Sequence, residues 1–182
     1  MATRDSEFMR KFAANFVLVV VQSIVFTIGY GACEHSSLLD KHGDVCVWWR
    51  RASATGLAFF YWGAGWLHFD PRMDRFFLAI TPPWVPWKRA AIAVSGHAEI
   101  LLSGLWAISQ VPPFESWRAV VTERRVAWAS IALLIAVFPA NLYHAWSRKA
   151  QRDTRVSRGA TLARLPVQIL FGAWAHWHTC SY

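Results

Sequence analysis

The sequence predicts an all-α protein, a polytopic bundle of helices in a membrane. Two observations carry that expectation. Of the 182 residues, 55% are apolar, 16% are charged and twelve are tryptophan, whereas a soluble domain carries about a quarter charged residues. The apolar residues are also clustered. Five stretches approach the roughly 20 residues that a helix needs to cross the hydrocarbon core. They run from Phe12 to Ala32, Ala52 to Phe69, Ala90 to Ser109, Val126 to Trp146 and Leu162 to Cys180. Polar segments rich in Arg, Pro and Gly separate them, and no soluble domain is left over. There is no internal repeat and no low-complexity tract.

The first stretch follows a basic start at Arg4, Arg10 and Lys11, as a secretory signal would. Its apolar middle is long for a signal, and Tyr30 fits a lipoprotein-type cleavage site poorly, so a retained helix is expected. Residues 1–51 then form an N-terminal span with an outer loop, and residues 52–182 form a four-helix membrane domain. With five spans, thirteen of the nineteen Lys and Arg residues fall on the side of the N-terminus. That bias places the N-terminus in the cytoplasm or matrix. The net charge of +8 is therefore read as topology and lipid contact, and no nucleic-acid partner is expected. The run Arg148–Arg158 is placed to touch anionic headgroups. All three cysteines fall on the outer side. Cys33 and Cys46 bracket one loop and would either form a disulfide or remain thiols.

The second span carries Tyr61 and His68. The segment after it, DPRMDRFFLAITPPWVPWKR, begins a turn at Asp70-Pro71 and allows a short amphipathic helix over Arg72–Ile80. Pro82, Pro83 and Pro86 stop any helix, while Trp84 and Trp87 suit the headgroup level. It is expected to lie at the interface and roof the bundle. The third span holds Glu99 near its middle, where a charged acid costs on the order of 3 kcal/mol. Ser95 and Ser103 share its face, and His97 projects elsewhere. The fourth span offers Asn141 and His144 beside Pro139. The fifth offers Gln168, one turn beyond Arg164.

Glu99, His97, Asn141, Gln168, Tyr61, His68 and Arg164 are thus candidates for one polar pocket opening towards the basic side. It would be a hydrogen-bonded cluster tying helices together, a site for a lipid or quinone headgroup lined by Trp62, Trp66 and Trp106, or an acid–base site. The C-terminal HWHTC places His176 and Cys180 four residues apart, but an aromatic belt explains that segment and no metal is expected. There is no Walker loop, GxGxxG, GxSxG or HExxH.

GAGWLHF, ITPPWVPW, SGHAEILLSGL, IALLIAVFPANLYHA and RLPVQILFGAW appear in the order seen in DoxX-like membrane proteins. The chain resembles that family from Ala54 to Trp174. The resemblance implies a four-helix membrane core in which His68, Pro82, Pro83, Glu99, Pro139, Asn141, Arg164 and Gln168 occupy recurring motif positions. The N-terminal span, the longer outer loop and the basic fourth loop are additions to that core. The family takes its name from a subunit associated with a thiosulfate:quinone oxidoreductase.

The resulting expectation is an accessory subunit of a quinone-linked membrane redox or respiratory complex. It would have no catalytic activity of its own, would bind lipid or quinone but no other cofactor, and would have membrane lipids and other subunits as partners. Its membrane would be energy-coupling, either the mitochondrial inner membrane or a bacterial plasma membrane. The alternative is a stand-alone small membrane enzyme or lipid- or quinone-binding protein that uses Glu99. A transporter is disfavoured by the missing repeat.

Overall fold

The structure is a computed structural model that describes residues 43–110 and 121–179. The stretch Phe12–Ala32, Cys33 and Cys180 lie outside the described residues. The choice between a Cys33–Cys46 disulfide and free thiols therefore lies outside them too.

Among the described residues every regular element is a helix, in the order α1 Gly43–Leu67, α2 Asp74–Ile80, α3 Lys88–Ser109, α4 Glu123–Trp146, α5 Arg148–Thr154 and α6 Arg158–Trp177. The four long helices match the last four apolar stretches, and α2 matches the amphipathic segment. Two of them, α3 and α4, are long and apolar enough to cross a membrane. Helix α1 packs mainly on α3, α4 on α6, and α3 on α4.

Local chemistry sets the boundaries. The hydroxyls of Thr122, Ser147 and Ser157 accept the backbone N–H of Arg125, Ala150 and Ala160, capping α4, α5 and α6. Ser147 also closes α4, so one residue turns the chain between two helices. The basic run expected as a loop is therefore partly the helix α5, anchored by buried Ala150. Trp87 (φ 47°) precedes α3 and Arg155 (φ 56°) ends α5, both in left-handed backbone. Helix α1 begins nine residues before the expected Ala52. Its extra turns are tied to the bundle by Arg50, which donates from Nε to Glu123 at 2.9 and 3.0 Å.

Helix α1 stops short at its other end. A methyl built on Gly96 would lie 2.6 Å from His68 Cβ, so α1 ends beside Gly96. That is eight residues inside α3, or about 12 Å along its axis. The return segment closes its backbone through short turns, His68 N to Gly65 O, Phe69 N to Trp66 O and Asp70 N to Leu67 O. It fills the space that α1 vacates. Met73, Ile80, Thr81 and Pro82 are buried there, while Trp84 and Trp87 are 68% and 85% exposed. Helix α2 packs against α3, α4 and α5, so this segment is wedged among the helices rather than only laid across them.

The apolar core sits towards the opposite end. Leu57, Tyr61, Leu102, Trp106, Val126, Phe171 and Trp174 form it. Phe60 stacks on Phe171 with ring centroids 4.0 Å apart.

Candidate functional site

The bundle interior holds three polar clusters, and the sequence-predicted residues are shared among them. The first lies where α1 ends against α3. His68 Nδ1 is 3.0 Å from the Ile92 carbonyl and 3.2 Å from Ser95 Oγ, which itself donates to that carbonyl. A carbonyl oxygen can only accept, so the 3.0 Å contact places the ring proton on Nδ1. Nε2 then faces Glu99 Oε2 at 3.4 Å, too long for a hydrogen bond. Glu99 Oε2 and the Tyr61 hydroxyl are buried with no hydrogen-bond partner among the described residues. A buried imidazole and a buried carboxyl thus face each other with their proton needs half met. Such a group can pass one proton between acid and base, or take up a small hydrogen-bonding ligand.

The second cluster lies between α4 and α6. Asn141 Nδ2 donates to Gln168 Oε1 at 2.7 Å, and Gln168 Nε2 donates to the Leu134 carbonyl at 2.6 Å. Pro139 stands inside α4 and has no N–H for the carbonyl one turn back. Gln168 reaches α4 backbone in that loosened region. Nearer the basic end, fully buried His144 meets Thr154 Oγ1 at 2.9 Å. Gln151 ties the same corner to the carbonyls of His144 and Ala145. The Arg164 guanidinium lies 5.2 Å over the Phe76 ring, a cation–π contact. It has no acidic partner among the described residues.

The single pocket expected from sequence is therefore divided. Glu99 and His68 come together, as do Asn141 and Gln168, but neither amide bonds to Glu99, and Tyr61 belongs to the apolar core. Arg164 stands with Phe76 and His144. His97 is exposed, with Nδ1 turned to the Ala93 carbonyl and its ring against Phe69. Of the three tryptophans expected along one wall, Trp62 and Trp66 lie together and more than half exposed, whereas Trp106 is fully buried. Pro82 is buried, whereas Pro83, Pro86 and both loop tryptophans are exposed.

The third cluster was not foreseen as a site. Near the start of α1 and the end of α6, Trp174 Nε1 donates to Ser53 Oγ at 2.7 Å, and Ser53 Oγ is 3.0 Å from His178 Nε2. His178 Nδ1 bonds to Glu123 Oε1, which Arg50 also holds. Donor capacity gives one consistent direction, from Trp174 through Ser53 and His178 to Glu123. The order serine–imidazole–carboxylate is that of a hydrolytic triad, but Ser53 is 2% exposed and its oxygen already accepts from Trp174. The adjoining cavity of about 10 Å³ has room for a single water. The geometry suits a clamp joining α1, α4 and α6. Its sequence signal was weak. Glu123 opens α4 and His178 caps the end of α6, but only the fold brings Ser53 between them.

Among the described residues no group of three His, Cys, Asp or Glu side chains could hold a metal ion. No curated protein and no solved structure matches the chain. Residues 57–179 do match the model of a domain of unknown function, DUF8561, and the chain belongs to that family.

Proposed function

We propose that the protein is a multi-pass integral membrane protein with a DoxX-like four-helix core, acting as a non-catalytic accessory subunit of a quinone-linked redox complex. One observation carries the membrane part of this reading, the inverted distribution of side chains. Ser53, Ser103, Ser130, His144, Thr161 and Gln168 are buried, while Phe59, Trp62, Trp66, Val94, Leu101, Trp128, Ile135 and Ile169 are exposed. Such a surface is costly in water and suited to lipid. The excess of Lys and Arg on one side supports an N-terminus in the cytoplasm or matrix. The subunit role is supported by the sequence resemblance and by the elements added to the four-helix core. Lipids and neighbouring subunits are the partners of this reading, in an energy-coupling membrane.

The experiment is purification from native membranes in mild detergent, after a wash at high pH. The protein is expected to stay with the membrane and to leave it with redox subunits bound. A solitary monomer overturns the subunit role, and release by the wash overturns the membrane role. The second reading, a stand-alone enzyme or quinone-binding protein, rests on the buried Glu99 carboxyl, whose Oε2 faces His68 without a hydrogen bond. It requires Glu99→Gln to abolish an activity while the bundle stays folded. An assembled and active partner complex carrying that variant removes it.

A further inference from the structure

A groove of about 360 Å³ opens on the outer face of α1 where the helix ends, lined by Trp62, Gly63, Trp66, Leu67, Phe69 and Asp70. Its volume falls within the range of small-molecule sites. The groove exists because Gly63 has no side chain, and a methyl built there would meet nothing within 4 Å. The two indoles flank it, tilted 67° to each other with centroids 6.4 Å apart. One end is charged. Arg72 donates from Nε to Asp70 Oδ1 at 3.0 Å and from Nη2 to Oδ2 at 2.7 Å. Its own backbone N–H also bonds Oδ1. The bidentate guanidinium holds the Asp70 carboxyl below the usual carboxylate range, so it is an anion at neutral pH. The Arg72 side chain is 61% exposed.

A trough with aromatic walls that ends at the Asp70 carboxylate, with the Arg72 guanidinium paired to it alongside, is complementary to a dipolar amphiphile. We propose that this groove seats a zwitterionic, ammonium-bearing phospholipid such as a phosphatidylethanolamine, an inference that rests on the membrane reading above. The ammonium lies at Asp70 and against an indole face, as alkylammonium groups do. The phosphate meets Arg72, and the upper acyl chain follows Trp62 and Trp66 along α1. A phosphatidylglycerol headgroup offers the phosphate but no cation for Asp70, so it is disfavoured. The early end of α1 gives the site its depth. The headgroup sits in the notch beside Phe69, below the level at which Lys88 begins α3.

The test is native mass spectrometry of the full chain released from nanodiscs of equimolar phosphatidylethanolamine and phosphatidylglycerol. Wild-type protein is expected to retain phosphatidylethanolamine with about fivefold preference, the scale of one ammonium–aromatic contact with its counterion. Gly63→Phe fills the trough and abolishes the preference. Asp70→Asn keeps an acceptor for the Arg72 backbone N–H but removes the anion, and lowers the preference to near parity. Helix content by circular dichroism, unchanged in both variants, shows that the fold is intact. If Gly63→Phe loses helix content, Asp70→Asn decides alone. Equal retention of the two lipids by wild type overturns the proposal, as does a preference that survives in either folded variant. Release from native membranes at high pH sinks the membrane reading instead, and the two failures are distinguishable.

Discussion

Ser53 is a small residue with three neighbours depending on it. Its hydroxyl accepts from Trp174 and reaches His178, and His178 in turn reaches Glu123. Ser53→Ala leaves a buried indole N–H and a buried imidazole nitrogen without that partner. Each such loss costs about 1–3 kcal/mol. Thermal unfolding in detergent is expected to fall by several degrees for Ser53→Ala and by much less for Thr55→Ala, whose hydroxyl only bonds back to its own helix. Equal effects would mean that the clamp does not hold α1, α4 and α6 together. Asp70 gives a pH dependence at the same scale. Its carboxyl is held low chiefly by the hydrogen bond from Arg72. A group depressed in the folded state contributes stability above its unfolded pKa and loses it as pH falls through the folded one. The difference in stability between wild type and Asp70→Asn is therefore expected to be flat through neutral pH and to vanish only below the ordinary carboxylate range. The pair is largely open to solvent, so the difference is small.

At the scale of elements, the contact of α1 with α3 depends on two glycines. A methyl at Gly65 would lie 2.7 Å from Ile100 Cγ1 and 2.8 Å from the Gly96 carbonyl oxygen. Backbone cannot yield as a side-chain tip can. Gly65→Ala is expected to cost about 1–3 kcal/mol, read as loss of thermal stability in detergent. Gly104 and Gly172 have nothing within 4 Å of an added methyl. Their alanine variants are expected to be neutral or better by up to ~1 kcal/mol. The hydrophobic pattern placed all four described long helices and the amphipathic α2, because lipid-length apolar runs and proline stops act locally. It left α1 short by two turns. A pairing between Arg50 and Glu123, 73 residues apart, offsets charge that a local pattern counts against a span. It also missed α5, whose serine cap and single buried alanine lie within a basic run. Glu99 with His68, and Asn141 with Gln168, were legible as polar residues at matching depths. Their separation into distinct clusters depends on helix rotation, which depth does not specify.

For the whole molecule, the tryptophans report which side faces the solvent. Trp48, Trp62, Trp66, Trp128 and Trp146 lie on the surface, whereas Trp106 and Trp174 are buried. On the membrane reading, phospholipids brominated along the acyl chain should quench most of the emission, and Trp106→Phe should remove part of what is left. Quenching by aqueous iodide in place of brominated lipid would count against that reading. The pairing of helices also bears on how the protein is made. The most extensive contact joins α1 to α3, which are successive long helices, and α4 then packs on α6. A ribosome delivers α1, the wedge and α3 before any of α4. The hairpin can therefore close around Gly65 and Gly96 during translation, with His68, Ser95 and Glu99 already facing one another. On the membrane reading, polar groups that would be costly for the insertion machinery to release one at a time can leave it as a matched set.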